Sequence, residues 1–370
     1  MDVADLDRLL IQLGDLDGSD LHIKAGAPPR MRIAGSLRTL ADEDSFTAQE
    51  TQEIAEAMMS DPVRETFRTR HEADFAYSIP GTGRFRVNAY FQRSSAALAI
   101  RRVRATPPTA DELGLPPVVA QLAEEVRGLV LVTGPTGSGK TTTLAAMIDH
   151  INHLRSCHIV TIEDPVEILH RDDLAAIDQR EVGFDTDSFT SAMRVVLRQD
   201  PDVILVGEMR DQETVAAALS AAETGHLVFS TLHTINATET INRIVDFFPP
   251  HQQSQIRLSL AGSLQGIVCQ RLIPTVEGDS RVPALEVLVI NGRIQQAIID
   301  PLLTGDIEEI VADGAYYGMV TFDQSLATLL TTGQISLSEA MATASNPHDL
   351  KVMLERQGVL QTGSFTPQLG

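Results

Sequence analysis

Residues 134–141 read Gly-Pro-Thr-Gly-Ser-Gly-Lys-Thr, which satisfies the spacing GxxxxGK[ST] at every fixed position. Glycines at 134, 137 and 139 let the backbone curl so that successive N–H groups converge on one anion-sized point. An apolar run, GLVLVT, precedes the loop and a helical pattern follows it, so the helix dipole points at the same place. Lys140 is placed to reach the β and γ phosphates of ATP, and the Thr141 hydroxyl to ligate Mg²⁺. Gly134, Pro135, Thr136, Gly137, Ser138, Gly139, Lys140, Thr141 and Thr142 are therefore the expected nucleotide-binding set.

A phosphate loop that hydrolyses also needs acid at a neighbouring strand end. Ile204-Leu-Val-Gly-Glu208 is an apolar run ending in a carboxylate, with Gly207 where a magnesium-binding Asp is usual. Ile162-Glu163-Asp164-Pro165-Val166-Glu167 packs three carboxylates into six residues after another apolar run. Glu208 is thus the expected water-orienting residue, while Glu163 and Thr141 are the expected metal holders, Glu163 partly through water. His233 follows the apolar run Leu227–Thr231 and is placed to bond a γ phosphate. His226 precedes that run, at the end where a structural role is as good a reading as a functional one. Arg84, Arg86, Arg93, Arg101, Arg102 and Arg104 concentrate positive charge in one short stretch, a pattern that suits contact with a bound nucleotide.

The elements that must position these groups divide the chain in two. At 370 residues, the length fits about two domains. Residues 1–104 mix an opening amphipathic helix, short alternating strands and a helix capped by Thr47 with Glu50 three residues on. The turn Pro80–Gly83 joins a hairpin, and the whole reads as a small α+β domain with an antiparallel sheet. Residues 105–117 hold four prolines and read as a semi-rigid linker. In 118–291, buried apolar runs alternate with helices, which means an α/β domain on a largely parallel sheet. Residues 292–356 read as helical, and 357–370 as a disordered tail.

Composition narrows the function classes. Hydrophobic residues make up 43% and charged residues 21%, a folded globular profile. Acidic residues outnumber basic ones 50 to 29, for a net charge of −21, which disfavours bulk binding to nucleic acid. Cys157 and Cys269, each in an apolar stretch, supply neither a disulfide framework nor a zinc site. The first ten residues are acidic where a secretory signal is basic, and the apolar runs fall short of the roughly 18 residues of a membrane span. A cytoplasmic protein is expected.

Taken together, GPTGSGKTTT at 134–143, TIEDPVE at 161–167, DPDVILVGEMRD at 200–211 and ETGHLVFSTLHT at 223–234 resemble the secretion-type hexameric ATPases. RFRVNAYFQR at 84–93, DFFPPHQQSQIR at 246–257 and QRLIP at 270–274 extend the resemblance to nearly the whole chain. Within that group it is most similar to the pilus-retraction (PilT-like) ATPases of type IV pili. The resemblance implies a PAS-like N-terminal domain, a RecA-like P-loop core, a homohexamer and an inner-membrane platform protein as partner, with a paralogous pilus ATPase as a further one. It puts the catalytic glutamate on Glu208, the acid-box glutamate on Glu163 and the paired histidines on His226 and His233. Nucleotide-contacting arginines fall on Arg84, Arg86, Arg93 and Arg101. One stretch departs: residues 297–306 read AIIDPLLTGD where such proteins carry a basic AIRNLIREGK. That leaves an accessory module with slow turnover, or a DNA-export motor, as alternatives to ATP-driven pilus retraction.

Lys140→Ala is expected to abolish productive ATP binding, because no other cation in the loop neutralises the β and γ phosphates together. Unchanged nucleotide affinity in equilibrium titration would remove the phosphate-loop assignment.

Overall fold

The computed structural model describes residues 3–33, 35–40, 43–104, 106–278 and 280–360. It falls into two compact units: residues 1–106 with Glu167–Leu169, and Pro107–Val166 with His170–Gly370.

The first unit contains α1 (Val3–Asp15), β1 (Asp20–Lys24), β2 (Arg30–Ile33), β3 (Ser36–Thr39), α2 (Ala48–Met58) and α3 (Asp61–Arg70). It continues with β4 (Glu72–Ile79), β5 (Gly83–Gln92) and β6 (Ser95–Arg102). The strands form an antiparallel sheet in the order β3-β2-β1-β6-β5-β4. Thr47 caps α2 through a full capping box with Glu50, as the spacing predicts. Leu6, Leu9, Leu10 and Leu13 of α1 are fully buried in a core shared with Ile54, Phe67, Phe85 and Ile100.

The arginine-rich stretch is spread along this sheet. Arg84 is near the start of β5 and Arg93 lies just past its end, nine residues on, or about 30 Å at strand rise. The four expected arginines therefore do not converge on one phosphate group within a subunit. Arg86 sits opposite Arg101 in the β5–β6 ladder, and Arg101 Nε donates to Asp20 Oδ1 at 2.8 Å.

The second unit opens with α4 (Pro117–Ala123), β7 (Gly128–Thr133), α5 (Lys140–Leu154), β8 (His158–Glu163), β9 (Ala176–Glu181) and α6 (Phe189–Val196). Next come β10 (Val203–Val206), α7 (Gln212–Glu223), β11 (Leu227–Leu232), α8 (Ala237–Asp246), α9 (Pro250–Ser263), β12 (Leu264–Pro274) and β13 (Arg281–Val289). Short helices α10 (Gly292–Ile299), α11 (Ile307–Ala312), α12 (Phe322–Thr331), α13 (Leu337–Thr343) and α14 (Pro347–Arg356) complete it. The sheet runs β13-β12-β7-β11-β10-β8-β9, parallel except for β13. Every residue of β7, β10 and β11 is buried. That is why these strands are continuous apolar runs: helices cover both faces, and α4 and α5 pack on one while α6 to α10 pack on the other.

Three expectations change. The Pro-rich stretch is not a free span, since residues from Pro107 belong to the second unit and Leu113 and Leu115 pack into its core. Residues 357–360, expected as the start of a disordered tail, instead close α14, where the Val359 and Leu360 N–H groups donate to Leu354 O; the rest of that expectation, 361–370, lies outside the described residues. The 297–306 stretch is the end of α10 and a tight turn, in which Arg257 Nη1 donates to Ile298 O and Thr304 Oγ1 and leaves Leu302 88% exposed.

Burial works against ionisation of Asp20, but the Ser19 hydroxyl and the Arg101 guanidinium outweigh it and hold the carboxyl below its ordinary value of 3.8. A folded-state value below the unfolded one adds stability at neutral pH that is lost as pH falls through the acid range. Asp20→Asn should therefore lower the melting temperature at neutral pH and leave it nearly unchanged near pH 2. An equal loss at both pH values would show that the ion pair is not the source.

Candidate nucleotide site

The site is built on the carboxyl edge of the second unit's sheet. β7 ends at Thr133 and runs directly into the 134–139 loop, whose last residue, Gly139, caps α5 with φ +89°. Gly134 cannot carry a side chain, because a Cβ there would lie 2.3 Å from Gln270 O and 2.7 Å from Ser138 Oγ. A Cβ on Gly139 would meet Gln270 Nε2 at 2.8 Å. The loop is thus fitted against one residue of the neighbouring strand β12.

Lys140 Nζ donates to Gly134 O at 2.8 Å and Pro135 O at 3.1 Å, folding the ammonium back over the loop. The Ser138 hydroxyl is buried without a hydrogen-bond partner among the described residues. These are the features of a cradle built for phosphate oxygens. Beside it, a cleft of about 630 Å³ is lined by Gly139 and Thr142 of the loop, apolar Leu272, Val282 and Pro283, and polar Arg281 and Gln334. Its size and mixed lining suit a base and a sugar.

Strand register brings the acids to the same edge. Leu232 pairs with Thr133, Val206 with Ser230, and Ile162 with Val206, so the ends of β7, β11, β10 and β8 lie side by side. Glu208 is two strand spacings from β7, about 10 Å, and Glu163 three, about 14 Å. Gly207 is explained by the same crowding: its N–H donates to Ile162 O at 2.8 Å, and a Cβ would approach that oxygen to 3.1 Å. The Ser230 and Thr231 hydroxyls donate to Val206 O and Gly207 O at 2.7 and 2.6 Å and pin the end of β10 to β11.

Glu208 is held from two sides. Arg210 Nη2 lies 2.7 Å from Oε2, and His233 Nε2 lies 3.0 Å from Oε1. Partial burial opposes its charge, but Arg210 and His233 prevail and keep the carboxyl below the ordinary range, so it is ionised at neutral pH. Glu163 accepts from Thr161 Oγ1 at 2.6 Å and from Gln179 Nε2 at 3.1 Å. Among the described residues, no group of three or more His, Cys, Asp or Glu side chains forms a metal cage. That donor set, a hydroxyl and separated carboxylates, fits Mg²⁺ carried largely by phosphates and water.

Not every expected residue comes to this edge. His226 immediately precedes β11, beside Gly128, at the opposite end of the sheet from the loop. Its Nδ1 is 3.0 Å from Ala221 O, a contact that fastens the end of α7. Glu167 groups with the first unit, and Glu163 with the second. Two contributors were not singled out in the sequence: Arg210, two residues past Glu208, and Gln270. The signal for Gln270 was a polar residue interrupting the apolar run IVCQRLI.

Known proteins resemble this chain along most of its length. The family described as Type II/IV secretion system protein matches residues 6–341. Type IV pilus ATPase PilU of Pseudomonas aeruginosa is 40% identical over 355 residues, covering 96% of this chain and 92% of that protein. Type IV pilus retractation ATPase PilT of the same organism is 41% identical over 345 residues, 93% of this chain and 99% of that one. The crystal structure of the pilus retraction motor PilT with bound ADP superposes with a TM-score of 0.86 at 45% identity, over 95% of this chain and 100% of that one.

Glu208→Gln keeps the side chain's shape and removes its charge. ATP binding should survive while turnover falls by about 10²–10⁴-fold, the scale of a general-base contribution. Glu163→Gln should instead weaken the Mg²⁺ dependence as well as the rate. Near-normal hydrolysis by Glu208→Gln, measured as phosphate release, would reassign the catalytic role.

Proposed function

This chain belongs to the type II/IV secretion system protein family, and on that premise we propose that it is an ATP-driven motor that retracts a type IV pilus. The observation that carries the reading is the convergence of the phosphate loop, Glu208 and His233 on one sheet edge. The names of the PilT and PilU relatives supply the pilus.

On ATP binding, Lys140 exchanges its two loop carbonyls for the β and γ phosphates, and the Ser138 hydroxyl gains an acceptor. The base and sugar enter the cleft beside Thr142. Mg²⁺, when bound, neutralises phosphate charge, and Thr141 with Glu163 through water would hold it. Glu208 orients the attacking water. His233, bonded to the same carboxylate, is positioned to register departure of the γ phosphate and to alter the Glu208 setting as it leaves. Phosphoryl transfer asks mainly for positioning and charge stabilisation, and these groups supply both. Mechanical work is read as the product of a homohexamer docked on a membrane platform protein. No described helix is long and apolar enough to cross a membrane.

Deleting the gene should leave cells with more surface pili and no twitching, restored by the wild-type gene and not by Glu208→Gln. Loss of surface pili on deletion would overturn the direction of work, and full ATP turnover by a strictly monomeric protein would overturn the ring.

A further inference from the structure

Gln270 stands where the phosphate loop, helix α5 and the flanking cleft meet. Its side chain is buried, with 4% of the residue exposed, on a strand that otherwise carries apolar residues inward. The amide oxygen accepts from Thr143 Oγ1 at 2.7 Å, which sets the orientation of the group. The amide nitrogen has no hydrogen-bond partner among the described residues and borders the cleft beside Gly139. That nitrogen is not among the buried unpartnered polar atoms: it opens onto the cleft, where a ligand can reach it. Support of the loop does not require the amide: the backbone O of Gln270 already makes the close approach to Gly134. A leucine or methionine would fill the same space without an unpaired donor.

We propose that Gln270 donates from Nε2 to a sugar oxygen of the bound nucleotide. It is a binding residue that ties occupancy of the sugar end of the cleft to the seating of the phosphate loop. The proposal rests on the nucleotide reading of this site. Thr143 acts through Gln270 as a positioning residue, because it fixes which end of the amide faces the cleft.

Equilibrium binding of ATP, ADP and inorganic pyrophosphate to the full chain tests this. Pyrophosphate occupies the loop but has no sugar. Gln270→Leu should weaken ATP and ADP about tenfold and raise KM with little change in kcat, while pyrophosphate affinity stays at the wild-type value. Thr143→Val, which removes only the hydroxyl that orients the amide, should give a smaller loss in the same pattern, and Thr143→Ser should restore wild-type binding. This pair carries the test if Gln270→Leu does not fold. Equal weakening of pyrophosphate and nucleotide would mean that Gln270 only supports the loop, and unchanged ADP affinity would mean that it makes no contact; either result overturns the proposal. Failure of the wild-type chain to bind ATP would instead overturn the nucleotide reading itself.

Discussion

Everything in the candidate site depends on one close contact, the seating of Gly134 and Gly139 against Gln270 of β12. The loop has to turn from strand into helix while aiming its N–H groups outward, so it is pressed onto a neighbouring strand with no room for a Cβ at either glycine. The parallel pairing of β12 with β7 sets the height of that contact, with Cys269 opposite Thr133. A shift of one residue in that register would turn the Gln270 side chain to the other face of the sheet and leave the loop unsupported.

The same edge explains why the acids lie where they do. Strands buried on both faces have no free side chains along their length, so chemistry is confined to the first residues beyond their ends. Glu208 and His233 come from different strands yet meet at 3.0 Å because β10 and β11 are adjacent and in register. Hydroxyls from Ser230 and Thr231 lock the two strands at that point. That local rigidity would let the carboxylate keep its aim in the water-orienting role proposed for Glu208.

Legibility in the sequence followed the same physics. The loop, Glu208, Glu163 and His233 were readable because each ends an apolar run, and a continuous apolar run is the signature of a doubly covered strand. Edge strand β9 was not, since Ala176–Glu181 is mostly polar and its inward positions are Ile177, Gln179 and Glu181, of which only the first is apolar. Helix α3 was hidden by a polar sequence that buries Phe67 and little else. The family resemblance pairs His226 with His233, but six strand residues separate them by about 20 Å of rise, which puts them at opposite ends of the sheet, as the position of His226 before the apolar run already indicated. The arginines read as a cluster for a similar reason: nearness in sequence along an extended strand is distance in space. Gln270 showed only as a polar residue interrupting the apolar run IVCQRLI, because its importance comes from what two glycines lack.

On the proposed reading, the ion pairing around Glu208 would join catalysis to release. An ionised carboxylate between Arg210 and His233 is stable at rest, so the arrangement stays assembled without nucleotide. Lys140 is likewise satisfied by the carbonyls of its own loop. Lys140 and Glu208 therefore each hold an internal partner, so ATP binding at these two groups would be an exchange of partners, whereas the Ser138 hydroxyl has none among the described residues to give up. Such an exchange is reversible at small cost, since a typical hydrogen bond is worth only about 0.5–1.5 kcal/mol net. On the proposed function, departure of the γ phosphate would return Lys140 to its own loop and leave His233 with Glu208. A motor of the kind proposed would release its product into a resting state in which Lys140 and Glu208 are already paired.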